Sequence, residues 1–324
     1  MKKTILLTIG ILFALLATLF ALVPPHIVNM ITHYEPYTFE AVLDYDSMRT
    51  KYGIYDRSNP GDYGFEEYTE VQFRSFKDSI GLSGWYIPSA PNTDQCILLV
   101  HGRTSNRLKP MKYLQLFKDI GLDTVYNFFI PELRNSGKSE ASKTYMGYKF
   151  GEDLASSLSF LKTEYNQKEI VVYSFSMGAM ATFTLLGRPE LQNYLNQHQV
   201  TINKIIVDSP LSNVRTTLKV SSDEMHLPDF VFNRVFNLFS NQINGFGDSL
   251  NMHTLLQNVD QPIFLIQSTS DDTTPFAILE EELNLLKSRE NIQTWFVDGP
   301  GHVLIYQDSE FMQTYTAKVE EFMK

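Results

Sequence analysis

The chain has 324 residues, 43% hydrophobic and 20% charged, with 17 Gly and 14 Pro spread along it. That is enough to bury a large core and excludes a disordered, collagen-like or low-complexity chain. A total of 27 Lys and Arg against 37 Asp and Glu leaves a net charge of −10, which argues against a nucleic-acid partner, and the one cysteine, Cys96, excludes a disulfide framework and a multi-cysteine metal site.

Lys2 and Lys3 precede an uncharged apolar run, Thr4–Val23, which ends at Pro24–Pro25. As a helix it would be ~30 Å long, about one bilayer core. It exceeds the roughly 7–15 apolar residues of a secretory signal and has a poor cleavage site. The expectation is therefore an uncleaved transmembrane anchor over residues 1–25, with secretion after cleavage as the alternative. After the two lysines the next cation is Arg49, preceded by Glu35, Glu40, Asp44 and Asp46. The positive-inside rule then predicts a single-pass protein at the cell membrane with its bulk outside the cytoplasm. Residues 26–66, rich in Tyr, Asp, Pro and Gly, read as an irregular stalk and N-terminal extension.

From about residue 67 the pattern becomes regular. Thr69–Ser75 and Leu82–Ile87 flank a turn-like Lys77-Asp78-Ser79 and predict a hairpin. Short apolar runs follow at Cys96–Val100, Thr124–Ile130, Ile170–Tyr173, Ile205–Val207, Ile263–Ile266 and Thr294–Val297, as in strands buried on both faces. Helical patterns alternate with them at Leu108–Ile120, Lys149–Glu164, Met177–Leu186, Phe276–Lys287 and Ser309–Met323. Alternation of this kind predicts an α/β fold with a mainly parallel eight-stranded sheet covered on both faces. Residues 211–258 break it. There a helix over Leu227–Phe239 carries one apolar stripe of Leu227, Phe230, Val231, Val235 and Leu238 and a second of Phe232, Phe236, Phe239 and Ile243. Two stripes need cover on two sides, either as a cap over the sheet or as an ordinary core helix.

Four short segments at strand ends carry chemistry. The strand Ile170–Tyr173 runs through Ser174-Phe175-Ser176-Met177-Gly178 into a helical pattern, placing Ser176 at the apex of a strand–turn–helix. A serine there presents an exposed hydroxyl beside a helix N-terminus; its alternative role is a helix N-cap. Val100-His101-Gly102-Arg103 follows the Cys96 strand, so the backbone N–H groups of Arg103 and Met177 are candidates for an oxyanion hole. His101 reads as structural. The Arg103 side chain could add positive charge at the site or be solvated. Asp271 follows the Ile263 strand, and His302 ends Asp298-Gly299-Pro300-Gly301-His302 after the last one. The order Ser176, Asp271, His302 is that of nucleophile-elbow hydrolases.

From residue 67 onward the chain resembles the α/β-hydrolase superfamily, and most closely membrane-anchored bacterial serine hydrolases of the dienelactone-hydrolase and prolyl-oligopeptidase-like branch. Gly81-Leu82-Ser83-Gly84-Trp85-Tyr86-Ile87-Pro88 resembles that group's second-strand signature. Glu132-Leu133-Arg134-Asn135-Ser136-Gly137-Lys138-Ser139 resembles its Asp-x-Arg-x-x-Gly-x-Ser loop. Ser174, Glu132 and Ser268 depart from the usual residues. Asp271 rather than Asp272 fits the family's acid, four residues before Pro275. The resemblance implies an α/β-hydrolase domain over 67–324 with a helical cap insertion.

The expected reaction is ester hydrolysis through an acyl-enzyme, with Ser176 as nucleophile, His302 as base and Asp271 as its orienting acid. Activity should fall as acidification protonates His302. Neither a metal nor an organic cofactor is implied by any motif. The expected partners are a small-molecule or lipid-like acyl substrate and, through the N-terminal helix, the membrane. Alternatives are a peptidase, an acyltransferase, a non-catalytic binding scaffold, or a cap that engages lipid.

Overall fold

The computed structural model describes residues 2–288 and 290–324; within the first helix, the side chains of residues 2, 3, 5, 6, 11–17 and 19 lie outside the description. Thirteen α-helices and eight strands follow in chain order among the described residues. The N-terminal region forms α1 (Lys2–Thr32), α2 (Phe39–Leu43) and α3 (Asp46–Tyr52). Then come β1 (Thr69–Arg74), β2 (Gly81–Ile87), β3 (Gln95–Val100), α4 (Leu108–Met111), α5 (Tyr113–Asp119) and β4 (Asn127–Glu132). The middle of the chain contains α6 (Tyr148–Tyr165), β5 (Glu169–Phe175), α7 (Met177–Gly187), α8 (Pro189–Gln197) and β6 (Thr201–Asp208). After β6 lie α9 (Val214–Glu224), α10 (Asp229–Asn241) and α11 (Met252–Leu255), and the chain closes with β7 (Ile263–Ser268), α12 (Phe276–Leu285), β8 (Ile292–Val297) and α13 (Met312–Met323).

The strands form one sheet in the order β1-β2-β4-β3-β5-β6-β7-β8. Only β1–β2 and β2–β4 pair antiparallel; every other neighbour is parallel. Strand β5 is buried except at its first residue and β7 throughout, while β6 is buried over its C-terminal half. This is what continuous apolar runs predict when helices cover both faces. One face packs against α6, α7, α10 and α11, with Phe150, Leu154, Met180 and Phe236 in its core. The other packs against α4, α5 and α13, with Phe117, Tyr173 and Phe322.

Strand and helix expectations hold with shifts at the ends. The expected strand Thr124–Ile130 begins three residues later, because Leu122–Thr124 forms a 3-10 turn. The helix expected over Leu108–Ile120 is divided into α4 and α5 at Lys112, just after Pro110, whose nitrogen has no hydrogen to donate to a helical ladder. Helices α8 and α9 were not foreseen.

The N-terminal expectation requires correction. Among the described residues no helix is long and apolar enough to cross a membrane, so the anchor over residues 1–25, the single-pass placement and the orientation derived from it are unsupported. Part of that expectation falls on side chains outside the description. The helix does not stop at Pro24–Pro25 but continues to Thr32, and it packs on the domain mainly through its last turns, while Leu22 and Val23 stay exposed. Val28 is fully buried in the core, and the Phe20 ring lies 5.8 Å from that of Phe230 on α10. Nor are residues 26–66 irregular: Val42, Tyr52, Ile54, Tyr63 and Phe65 are buried against the α4–α5–α13 side of the sheet.

Candidate functional site

The site lies at the C-terminal ends of the parallel strands, where consecutive loops converge. At the β5–α7 junction Ser176 adopts φ 54°, ψ −122°, a strained conformation for a residue other than glycine. Two contacts enforce it. The Ser176 N–H donates to the Asp208 carbonyl (3.2 Å) and its own carbonyl accepts from Leu211 (3.1 Å), so the turn is clamped to the end of β6. Gly178 lets α7 start against β3: a Cβ there would lie 2.5 Å from the His101 carbonyl oxygen and 2.9 Å from that of Val100. Ser174, where glycine is usual, is fully buried within β5 and is small enough for the same crossing.

Gly102 sits against this turn, and a Cβ on it would come 2.8 Å from the Ser176 Cβ. The preceding His101 is a structural post. Its Nδ1 lies 2.8 Å from the Gly102 carbonyl, which can only accept, so Nδ1 carries the hydrogen and Nε2 accepts from the Leu133 N–H at 3.0 Å. The ring is thus neutral, and burial pushes its pKa down to about 4. The Arg103 side chain is neither solvated nor aimed at Ser176. Its guanidinium donates to the Met30 carbonyl at the end of α1 (3.0 Å) and lies 4.8 Å from the Tyr34 ring. The Arg103 backbone N–H has no acceptor among the described residues, and neither does that of Met177 at the first position of α7. Arg103 lines the cavity described below; Met177 does not.

Asp271 and His302 meet directly: His302 Nδ1 is 2.8 Å from Asp271 Oδ2. The carboxylate is held on every side. Its Oδ1 accepts from the Thr273 and Thr274 N–H groups, both at 2.9 Å, and its Oδ2 from Gln267 Nε2 at 3.1 Å and the Thr274 hydroxyl at 3.0 Å. Burial alone would raise the Asp271 carboxyl, but His302 and the Thr274 donors outweigh it and hold the carboxyl below its ordinary range. Asp272, by contrast, is exposed at the cavity rim. With Nδ1 engaged by Asp271, the imidazole keeps Nε2 free of protein partners among the described residues. Ser209 ties the loops together, its hydroxyl accepting from the Val303 N–H (3.0 Å) and its carbonyl lying 3.2 Å from the Thr274 hydroxyl oxygen.

Ser176 and His302 line the same cavity of about 640 Å³; no hydrogen bond joins them among the described residues. Its other walls are the His101–Ser105 loop, Lys109 and Tyr113, and, from the N-terminal extension, Lys51 and Tyr52. A second, apolar cavity of about 360 Å³ lies between α1, α9 and α10, and Arg103 borders both. The supporting residues Gln267, Thr274 and Ser209 were missed from sequence, though the Thr273-Thr274-Pro275 run after Asp271 is a signal for N–H groups turned back onto a carboxylate. The loop from Glu132 to Ser139 is structural. Glu132 accepts from the Ser83 hydroxyl and the Lys138 N–H, both at 2.8 Å, while Arg134 pairs with buried Asp153 at 2.7 Å.

An eight-stranded, mostly parallel sheet with a serine at the strand–helix elbow and an Asp–His pair on later loops defines an α/β-hydrolase fold. The model of the alpha/beta hydrolase fold family matches residues 95–246. The Pyrococcus furiosus esterase Pf2001 superposes with a TM-score of 0.61 at 25% identity, over 82% of this chain and 93% of that one. Mouse alpha/beta hydrolase domain-containing protein 10 is similar in fold alone, at 12% identity and a TM-score of 0.54 over 79% and 98% of the chains. In sequence, the uncharacterized protein YqkD of Bacillus subtilis (strain 168) is 24% identical over 268 residues, covering 80% of this chain and 82% of its own. Together these support a hydrolase.

Proposed function

We propose that the protein is a serine hydrolase that cleaves a carboxylic ester through an acyl-enzyme. The observation that carries this reading is the 2.8 Å Asp271–His302 hydrogen bond on the wall of the cavity into which the strained Ser176 elbow opens. Nδ1–H bonded to Asp271 leaves Nε2 with a lone pair, the tautomer a general base needs. In the first step Ser176 Oγ bonds to the ester carbonyl carbon and its proton passes to His302 Nε2. The resulting oxyanion is met by the Arg103 and Met177 N–H groups. Collapse breaks the bond to the alkoxy leaving group, which takes the proton from His302. Water then repeats the sequence on the acyl-enzyme and releases the acid. The branch resemblance to dienelactone and prolyl-oligopeptidase-like hydrolases belongs to the same reading. Support for an ester rather than an amide comes from the similarity to the Pyrococcus furiosus esterase.

A fluorophosphonate probe should label the wild type and not Ser176→Ala, and short-chain nitrophenyl esters should be turned over faster than matched peptide amides. Labelling that survives Ser176→Ala would remove the nucleophile assignment. Amide turnover exceeding ester turnover would make the protein a peptidase.

A further inference from the structure

The chain carries a net charge of −10, yet the cavity beside Ser176 is walled by cations. Lys51, Arg103 and Lys109 line it, and Asp272 at the rim is the one carboxylate among the lining residues. Arg103 is spent on the Met30 carbonyl and the Tyr34 ring. The two ammonium groups are not. The half-buried Lys109 side chain has neither a hydrogen bond nor an ion pair among the described residues, and the exposed Lys51 side chain has only the Tyr37 ring, 5.9 Å from its nitrogen. A third lysine, Lys112, is buried and donates to Gln307 and the Val303 carbonyl; burial and the neighbouring Lys109 push its pKa well down.

Lys109 has no direct ion pair, and exposed Lys51 adds a second positive charge at the same cavity; Asp208 and Asp271 attract Lys109 without pairing with it. We propose that this cavity is built for an ester bearing a second, anionic group, a carboxylate or phosphate, received by Lys109 and Lys51. The inference deepens the ester-hydrolase reading and rests on it. Burial and the neighbouring charge of Lys51 lower the Lys109 ammonium to about 8, against the opposing pull of Asp208 and Asp271, so it remains mostly cationic at neutral pH. Lys109, Ser176 and His302 line one cavity, so an anion received by Lys109 shares that cavity with the reacting carbonyl. Lys51 comes from α3, so one wall of this anion site is supplied by the N-terminal extension, outside the region that the family model matches.

The test compares matched pairs at pH 7 and low salt. On the acyl side these are 4-nitrophenyl hemiglutarate and 4-nitrophenyl pentanoate; on the leaving-group side, 4-acetoxybenzoate and its methyl ester; 4-acetoxyphenyl phosphate tests for phosphate. In at least one arm the anionic-to-neutral ratio of kcat/KM should exceed one in the wild type. It should fall about tenfold in Lys109→Met, recover in Lys109→Arg, and shrink as salt rises. A ratio that Lys109→Met leaves unchanged in every arm, with fluorophosphonate labelling of Ser176 intact, overturns the proposal. Binding separates this from a failure of the hydrolase reading. In Ser176→Ala, ligand-observed NMR should show monomethyl glutarate binding about tenfold more tightly than in Ser176→Ala/Lys109→Met, and equal affinities would overturn the anion site whether or not the protein hydrolyses esters.

Discussion

The loops at the C-terminal edge of the sheet and the α1–α10 contact are held by different forces. At the sheet edge, position is fixed by backbone groups and close contact. Ser176 is clamped to Asp208 and Leu211, Asp271 receives four donors besides His302, and Gly178 touches two carbonyl oxygens of the adjoining segment within the reach of a single Cβ. The α10 helix is held by apolar side chains. Phe232, Val235, Phe236 and Phe239 of α10 are buried, and its ion pair to α9, Lys219–Asp229, has an exposed partner. Directional bonds fix atoms to fractions of an ångström, whereas apolar packing tolerates exchange of similar volumes. Chemistry that depends on alignment belongs on the first region, and variation in what is bound belongs on the second.

Several substitutions would break or sharpen that contrast. Ser176→Ala should reduce ester turnover by at least about a thousandfold, since the nucleophile is lost while the fold remains. Asp271→Asn should lower kcat by roughly 10³–10⁴ with little change in KM, because an amide can present its N–H to Nδ1 and select the wrong tautomer. Steady-state kinetics on nitrophenyl esters check both, and a mild loss in Asp271→Asn would place the orienting role elsewhere.

On stability, Phe236→Ala should cost about 3–4 kcal/mol as a cavity under α10, while Phe230→Ser on the same helix should cost under about 0.5 kcal/mol, as Phe230 is 64% exposed. Urea unfolding checks the pair. A large loss in Phe230→Ser would mean that its contact with Phe20 holds α1 in place. Gly178→Ala should cost about 3 kcal/mol even though it adds one methyl group, because the atoms it meets are backbone carbonyls that cannot move aside.

A further expected effect is on acid sensitivity. An unfolded imidazole takes up its proton near pH ~6.5, but His101 in the fold does so only at about 4. Its depressed value costs nothing above the unfolded pKa and favours unfolding increasingly as pH falls between the two. From pH 7 to pH 5 the loss should be about 2 kcal/mol. Urea unfolding at the two pH values should show it, and a His101 NMR titration with a midpoint near 6 would contradict the buried neutral ring.

Much of the fold was legible because buried parallel strands leave short apolar runs that few other structures need. The turn chemistry at Ser176, Asp271 and His302 was legible because each follows such a run directly. Other features were hidden for physical reasons. The Thr4–Val23 segment has the composition of a bilayer span, and composition alone cannot distinguish a lipid neighbour from an aromatic helix of the same chain. Helix α9 has mixed polarity and escaped notice, with Val214 its one fully buried apolar residue. His101 offered no hint of its tautomer until Leu133, brought from the next strand's end, was seen to donate to it.

The order of residues along the chain was sufficient to determine the alternation of strand and helix, the elbow serine, and the acid and imidazole on later loops, because these are local patterns repeated at each strand end. Only the tertiary structure decided that Lys51 from the N-terminal extension and Lys109 from α4 face the cavity beside Ser176 without carboxylate partners. Charge along a sequence averages to −10, but the field in a cavity depends on which side chains the fold turns toward it, and that is a property of packing in three dimensions.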